Sequence, residues 1–340
     1  MIQATNELIL GIDLNSDYAQ VTYWHSSSRE PVTIGAEENA RQFATGLRQE
    51  ENGAWSLWDG SPATEGESGD LHRISDVYGK IERRETILSG DMVFEPEDLL
   101  AVYLNQCIAD LKLLTSNTTL HVMITVRRLT EELNQVLVGA LLRLGVDRKH
   151  IYVQDYLSSF YYYTVNQKKE LWMQDVALIT YEDEAIAGYV LHIDYSTKPA
   201  IAHVDRIARQ PMNDEVRAGR SQEDWDKEKD RLFFELLKKV FERRTVSVSY
   251  LMGDYFNKSW AVRSIQFLCC RRRAYQGMNL YSKGACFAAM ERAGITSIRE
   301  IIFGGRDMVK RNIGMEMRIR GKESYYSLVN AGVNWYEVHH

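Results

Sequence analysis

The chain has 340 residues, of which 45% are hydrophobic and 26% charged, and a net charge of −6 at pH 7. That is ordinary globular composition, with apolar matter for one or two sizeable cores. A mildly acidic chain with no concentrated basic face speaks against nucleic acid as a partner, and no stretch approaches the ~18 apolar residues that span a bilayer.

The elements follow in chain order. Leu8–Leu14 is an apolar run, Asn15-Ser16-Asp17 is turn chemistry, and Ala19–Trp24 alternates, which predicts a β-hairpin. Pro31–Ile34 is a third strand. From Gly35 to Asp91 the pattern weakens around Gly60, Pro62, Gly66 and Gly69, which predicts a mostly exposed insertion with a loop at its middle. Pro96 opens an amphipathic helix through Leu111, His121–Val126 is a strand, and Thr130 caps a second helix that Gly145 ends. Ile151–Val153 is a short strand, and Tyr156–Tyr163 opens another helix.

The rhythm then restarts. Asp175–Tyr181 and Ala185–Ile193 form a second hairpin, and Pro199–Val204 a third strand. Asn213–Lys229 is strongly charged and leads into a helix bearing Leu232, Phe233, Leu236, Leu237, Val240 and Phe241, with Ser221 and Asp224 as a capping pair. Thr245–Met252 is a β-branched strand ending at Gly253, and Gly277–Met290 a helix of small residues. Strands follow at Met315–Arg320 and Tyr325–Val329. The same programme runs twice, so the expected architecture is α/β with two lobes around a central cleft. Lobe I is 1–168, with core 1–34 and 92–168 and an exposed insertion at 35–91. Lobe II is 169–340, with core 173–207 and 245–340 and a charged insertion at 208–244.

Cys107, Cys269, Cys270 and Cys286 form no C-x-x-C pair and no zinc-spaced cluster with histidine, so free thiols in a reducing compartment are expected. The N-terminus lacks the basic start and apolar run of a signal peptide, and the expected address is cytoplasmic.

Leu10-Gly11-Ile12-Asp13-Leu14-Asn15-Ser16 resembles the first phosphate loop, G-I-D-L-G-T-T, of the actin/Hsp70/sugar-kinase superfamily. Phe94–Ala101 is similar to the helix entering the core lobe of Hsp70 proteins, and His121–Val126 to their next core strand, with Arg127 in place of a proline. Val153–Tyr162 stands where the first interlobe connector belongs and is closer to actin's Q-x-x-L-S-x-Y. Val248–Asp254 resembles the adenosine motif, and Tyr281–Ala289 the second connector helix, G-A-x-x-A-A. Asn312-Ile313-Gly314-Met315 resembles the strand beyond. The resemblance runs from about Leu8 to Met315, its specificity lying in the order of the motifs, and implies a duplicated ribonuclease-H-like (actin-like ATPase) fold. The ending Ala331–Glu337 resembles a bacterial family with no assigned activity and adds no function.

The resemblance implies ATP or ADP with Mg²⁺ as the ligand of a working member. It puts Asp13 on the metal through water, Gly11, Asn15 and Ser16 beside the phosphates, Gly253 and Asp254 beside the adenosine, and Gln154 on the hydrolytic water. The residues themselves also allow plainer readings: Asp13 as a turn cap, Gln154 as a polar strand end, Gly253 as a turn glycine. The second phosphate loop, D-x-G-x-G-x-T in the family, reads Ile179-Thr180-Tyr181-Glu182-Asp183-Glu184, with no glycine and three carboxylates that repel a polyphosphate. Arg271-Arg272-Arg273, a compact basic run, is expected in a solvated loop or paired with that acidic hairpin.

The expectation is therefore a degenerate, non-hydrolysing actin/Hsp70-like scaffold or assembly protein with protein partners and room for oligomers or polymers. The alternative is a divergent ATP-binding protein with weak Mg-dependent ATP hydrolase activity through Asp13 and Gln154. A sugar or acetate kinase ranks below both, since the loop after Asp17 offers no catalytic acid. A full Hsp70 cycle also needs a peptide-binding domain and lid, for which little chain follows Met315.

Overall fold

A computed structural model describes residues 6–36, 39–61, 72–89, 92–109, 111, 118–196, 198–253, 255–257, 259–296, 298, 300–305, 308–309, 311–319, 322–329, 333, 335 and 338. The chain opens with strands β1 (Asn6–Leu14), β2 (Tyr18–His25) and β3 (Glu30–Thr33). After shorter pieces come α1 (Pro96–Ile108), β4 (Thr118–Val126), α2 (Glu131–Arg143), β5 (Ile151–Asp155) and α3 (Tyr156–Val165). Next are β6 (Asp175–Glu182), β7 (Ala185–Asp194), β8 (Ala200–Pro211), α4 (Gln222–Phe241) and β9 (Val246–Met252). Then follow α5 (Val262–Cys269), β10 (Arg273–Gly277), α6 (Leu280–Arg292), β11 (Ile301–Phe303), β12 (Ile313–Ile319) and β13 (Lys322–Val329).

The chain forms two units. The first is 1–163 together with 279–297, and the second is 164–278 together with 298–340. The division thus falls at 163/164 rather than at 168/169, and α6 belongs to the first unit, because Gly11 and Gly284 let its backbone settle on β1 and α3.

In the first unit the strand order is β5-β4-β1-β2-β3, with Phe43–Ala44 added beside β2. β1, β2 and β3 run antiparallel, and β4 and β5 run parallel to β1. β1 is central, and Leu8, Ile9, Leu10, Ile12 and Leu14 are all buried, as expected of a strand covered on both faces. α1 begins with Pro96 at its first position and Glu97 and Asp98 in its first turn, where acid suits the helix dipole. Thr130 caps α2 by accepting from the Leu133 N–H at 3.2 Å, and Gly145 leaves the helix at φ +82°.

The segment 35–91, expected to be mostly exposed, contributes buried apolar residues among those described. Phe43, Leu47, Ile74, Val77 and Ile81 are buried, and the Tyr103 hydroxyl of α1 donates to the Phe43 carbonyl at 3.1 Å. Its buried positions fall in strands of two or three residues and one six-residue helix, each too short to show a period.

In the second unit the order is β10-β9-β6-β7-β8-β11, and the first five strands repeat the senses of the first sheet. β8 runs on to Pro211, well past the expected Val204, because its backbone stays paired with β7 through Asp205, Arg206 and Arg209 while those charged residues remain exposed. The charged stretch expected as an insertion is α4, the crossover from β8 to β9. Its outer face carries Glu223–Lys227, Glu228–Arg231 and Glu235–Lys238 pairs. Its inner face buries Leu232, Phe233, Leu236, Leu237 and Val240 in the core with β6 and β7, about 1.5–3 kcal/mol for each large side chain. Gly188 of β7 admits it, since a Cβ there would lie 2.4 Å from Val240 Cγ2. Ser221 caps α4 and exchanges hydrogen bonds with Asp224 as the sequence suggests. Asp230 of α4 caps α5, accepting from the N–H groups of Arg263 and Ser264 at 2.8 and 2.9 Å. No helix among the described residues is long and apolar enough to cross a membrane.

Candidate functional site

Asp13 stands on β1 just before the first hairpin turn, with Asn15 next on the same side. The Asn15 side-chain carbonyl accepts from the backbone N–H groups of Asp17 and Tyr18 at 2.8 and 3.0 Å, while its own N–H donates to the Tyr18 carbonyl at 3.1 Å. This Asx turn closes the hairpin without a glycine and occupies the donors at its tip. Ser16 is exposed, and its carbonyl accepts from the Thr45 hydroxyl at 3.1 Å.

Asp13 is fully buried. Its Oδ1 accepts from the Tyr156 hydroxyl at 2.5 Å and, at a long 3.5 Å, from Asn15 Nδ2, which also reaches the Tyr156 oxygen at 3.2 Å. Tyr156 in turn stacks on Tyr281 of α6, ring centroids 3.8 Å apart. Oδ2 meets no donor in hydrogen-bond geometry. The Tyr18 hydroxyl stands near the carboxyl and eases its charge without completing such a bond. Burial pushes the Asp13 carboxyl up to about 7, with the Tyr156, Asn15 and Tyr18 groups and the Arg127 charge opposing it. Burial and the neighbouring Asp13 also hold the proton on the Tyr156 phenol.

Register places four buried polar residues in one row across the sheet. Gln20 lies opposite Asp13, Asp13 opposite Thr125, and Thr125 opposite Gln154. Partnered strand residues point to the same side, so the row forms a polar band on one face. Gln154 donates to Ser159 Oγ at 2.7 Å, and Ser159 donates to Thr125 Oγ1 at 2.8 Å. On the other side, Gln20 Oε1 accepts from Ser282 of α6 at 2.9 Å, and Ser282 accepts from Thr22 at 2.8 Å. Gln20 Nε2, like Asp13 Oδ2, has no hydrogen-bond partner.

Two glycines let helices approach this band. A Cβ on Gly11 would lie 2.2 Å from the Cys286 nitrogen and 2.3 Å from the Ser282 carbonyl oxygen. One on Gly284 would lie 2.0 Å from the Ser159 carbonyl oxygen. Gly11 therefore gives α6 its close approach to β1.

The second unit has a different turn at the corresponding hairpin. β6 and β7 are joined through Asp183 and Glu184, both left-handed at φ +47° and +53°, a tight two-residue turn built without glycine. Its carbonyls accept from Arg209 at 3.2 Å and from the Met212 N–H at 2.6 Å. Gly253 leaves β9 at φ +89°; its N–H donates to Gly277, and its carbonyl accepts from Gln276 at 3.1 Å. Asp254 lies outside the described residues. In the basic run, Arg272 lies over the Phe241 and Phe267 rings at 4.2 and 4.9 Å and donates to the Phe267 carbonyl.

The structure thus brings Asp13, Asn15, Gly11 and Gln154 into one neighbourhood of the first unit and adds Tyr156, Tyr281, Gln20, Thr125, Ser159 and Ser282. A signal for the added residues exists at Gln20 and Thr22, polar residues two apart in an apolar strand. Nothing local marks Tyr156 or Tyr281.

Residues 28–306 match the profile described as the C-terminal part of a family of unknown function (DUF5716). The chain belongs to the DUF5716 family. The match in this DUF5716 chain takes in Gln154, Tyr156, Gly253 and Tyr281, while Gly11, Asp13 and Asn15 precede it. Residues 308–340 match a separate profile, a domain of unknown function (DUF8552), which holds the β12–β13 hairpin. No curated protein matches this DUF5716 chain.

Proposed function

We propose that this DUF5716 chain is a degenerate member of the actin/Hsp70/sugar-kinase superfamily that serves as a non-hydrolysing scaffold for protein partners in the cytoplasm. The fold side of the reading, a duplicated ribonuclease-H-like arrangement, draws on the shared strand order. Each sheet has three antiparallel strands followed by two parallel ones, with a helix in each crossover. The order of the sequence motifs supports it in the same way.

The observation that carries the functional side is the sealed Asp13 carboxyl. A hydrated Mg²⁺ needs an open carboxylate oxygen. Asp13 has none, and one of its oxygens is already capped by Tyr156. A phosphate needs free N–H donors at a hairpin tip, and the Asn15 side chain holds two of them. The residues of the first hairpin do not fit a magnesium nucleotide in the superfamily pose. A sheet with a buried polar band and closely seated helices fits a protein selected for its shape.

Calorimetric titration of Mg-ATP and Mg-ADP into the purified protein tests this. No heat at millimolar nucleotide is the expected result. Robust ATP turnover that Asp13→Ala abolishes would overturn it.

One observation favours the second reading, a nucleotide-binding protein with weak hydrolysis. Asp13, Thr125 and Gln154 stand in register on one face, so the two residues that the superfamily would use on metal and water are neighbours across one strand. Micromolar nucleotide binding lost in Asp13→Ala would put this reading first.

A further inference from the structure

We infer that the β12–β13 hairpin is a self-association surface, packing face to face against the same hairpin of a second copy. Among the described residues, β12 and β13 pair only with each other, with Met315 opposite Tyr326 and Met317 opposite Ser324. A hairpin of two strands is marginal in water unless one face is covered.

Its two faces differ in character. Ile313, Met315 and Met317 alternate along β12 onto the face that Tyr326 shares, and Leu328 follows Tyr326 by two residues at the bulged end. These side chains are 55%, 48%, 38%, 52% and 57% exposed. Glu316 and Arg318 project to the other face, where Arg318 lies opposite Glu323 and Glu316 opposite Tyr325. Among the described residues no strand pairs with this hairpin to extend it, the five side chains stay exposed, and the charges Glu316 and Arg318 at the central strand positions point to the other face.

The occupant follows from size and charge. The five side chains leave uncovered apolar surface on the order of 500 Å², the size at which a patch marks an interaction site. Two such faces pressed together remove roughly 1,000 Å², the lower bound for a specific interface. Apart from Lys322, which pairs with Ile319 at the turn end, the register puts no charged position on this face, and its own copy matches it in length and polarity. Two-fold contacts of this isologous kind are the commonest route to a dimer. Sheets stacked face to face sit about 10 Å apart, which Met, Ile, Leu and Tyr side chains fill from both sides. The inference stands apart from the nucleotide question, since no residue of the first hairpin takes part.

Sedimentation velocity of the full chain across the micromolar range tests it, beside Met315→Glu/Leu328→Glu on the apolar face and Glu316→Gln/Glu323→Gln on the other. The expected result is a concentration-dependent dimer that the first variant weakens by more than about tenfold, because it buries charge at the contact, and that the second leaves unchanged. A wild-type chain monomeric throughout would overturn the inference, as would a dimer indifferent to the first variant. Should that variant fail to fold, a photo-crosslinking residue at Tyr326 decides. A cross-linked dimer supports the contact, and its absence overturns it.

Discussion

Tyr156 and Asp13, 143 residues apart in the chain, share a buried hydrogen bond of 2.5 Å from the phenol to Oδ1. The bond ties the start of α3 to the end of β1 and occupies one oxygen of a carboxyl that is fully buried. Its partner oxygen has no donor, so the ionised form is poorly served there.

Stability should therefore depend on pH through Asp13. Its folded pKa, about 7, lies above the ordinary 3.8, so the folded chain holds a proton that the unfolded chain releases between those values. The contribution is greatest below pH 4, declines as pH rises to about 7 and is flat above. Asp13→Asn should flatten this decline and raise stability at pH 8 by roughly 2–4 kcal/mol, as urea midpoints at pH 5 and 8 will read. An unchanged slope would mean that Asp13 ionises normally.

Tyr156→Phe should act in the opposite sense. At pH 8 it removes the donor from a buried carboxylate, a loss of about 1.5–3 kcal/mol, and at pH 5, with Asp13 protonated, the loss should shrink to about 1 kcal/mol. Equal losses at the two values would place the effect in the Tyr281 stack instead.

Gly11→Ala and Gly284→Ala should each destabilise by about 3 kcal/mol or more, because the new methyl meets backbone that cannot turn aside as a side chain would. Thermal melting reads both. A tolerated Gly284→Ala would show that α6 can shift off α3.

Glu184→Gly should stabilise by about 1 kcal/mol, since it relieves a left-handed residue in a two-residue turn where glycine is at ease. Asp230→Ala should destabilise by about 1–2 kcal/mol through loss of the α5 cap. Denaturant titrations of the two variants should move in opposite directions.

Much of the fold was legible wherever a local rule governed it. The first hairpin, the caps at Thr130 and Ser221, Pro96 at the start of α1 and the small-residue helix α6 follow from turn chemistry and periodicity within a few residues. The readings that changed depended on distant contacts. Asn213–Lys229 reads as a strongly charged lead into the apolar helix, and the outer half of α4 is charged, yet Trp225 and Lys229 are buried because Lys229 pairs with Asp226 at 2.6 Å and lies 4.9 Å from the Trp260 ring. Segment 35–91 adds buried apolar residues where α1 brings Tyr103 to Phe43.

The candidate site divides in the same way. The sequence by itself determined that an aspartate ends β1, that an asparagine can close the turn after it, and that the second hairpin has no glycine, because these are properties of residue type and neighbour order. Only the tertiary structure decided that Asp13 is sealed, that Gln154 answers to Ser159, and that Gly11 receives a helix instead of standing open. Burial, pKa and close approach are sums over atoms that meet only after the chain has folded, and Tyr156, Tyr281 and Ser282 come from elements far from Asp13 in sequence.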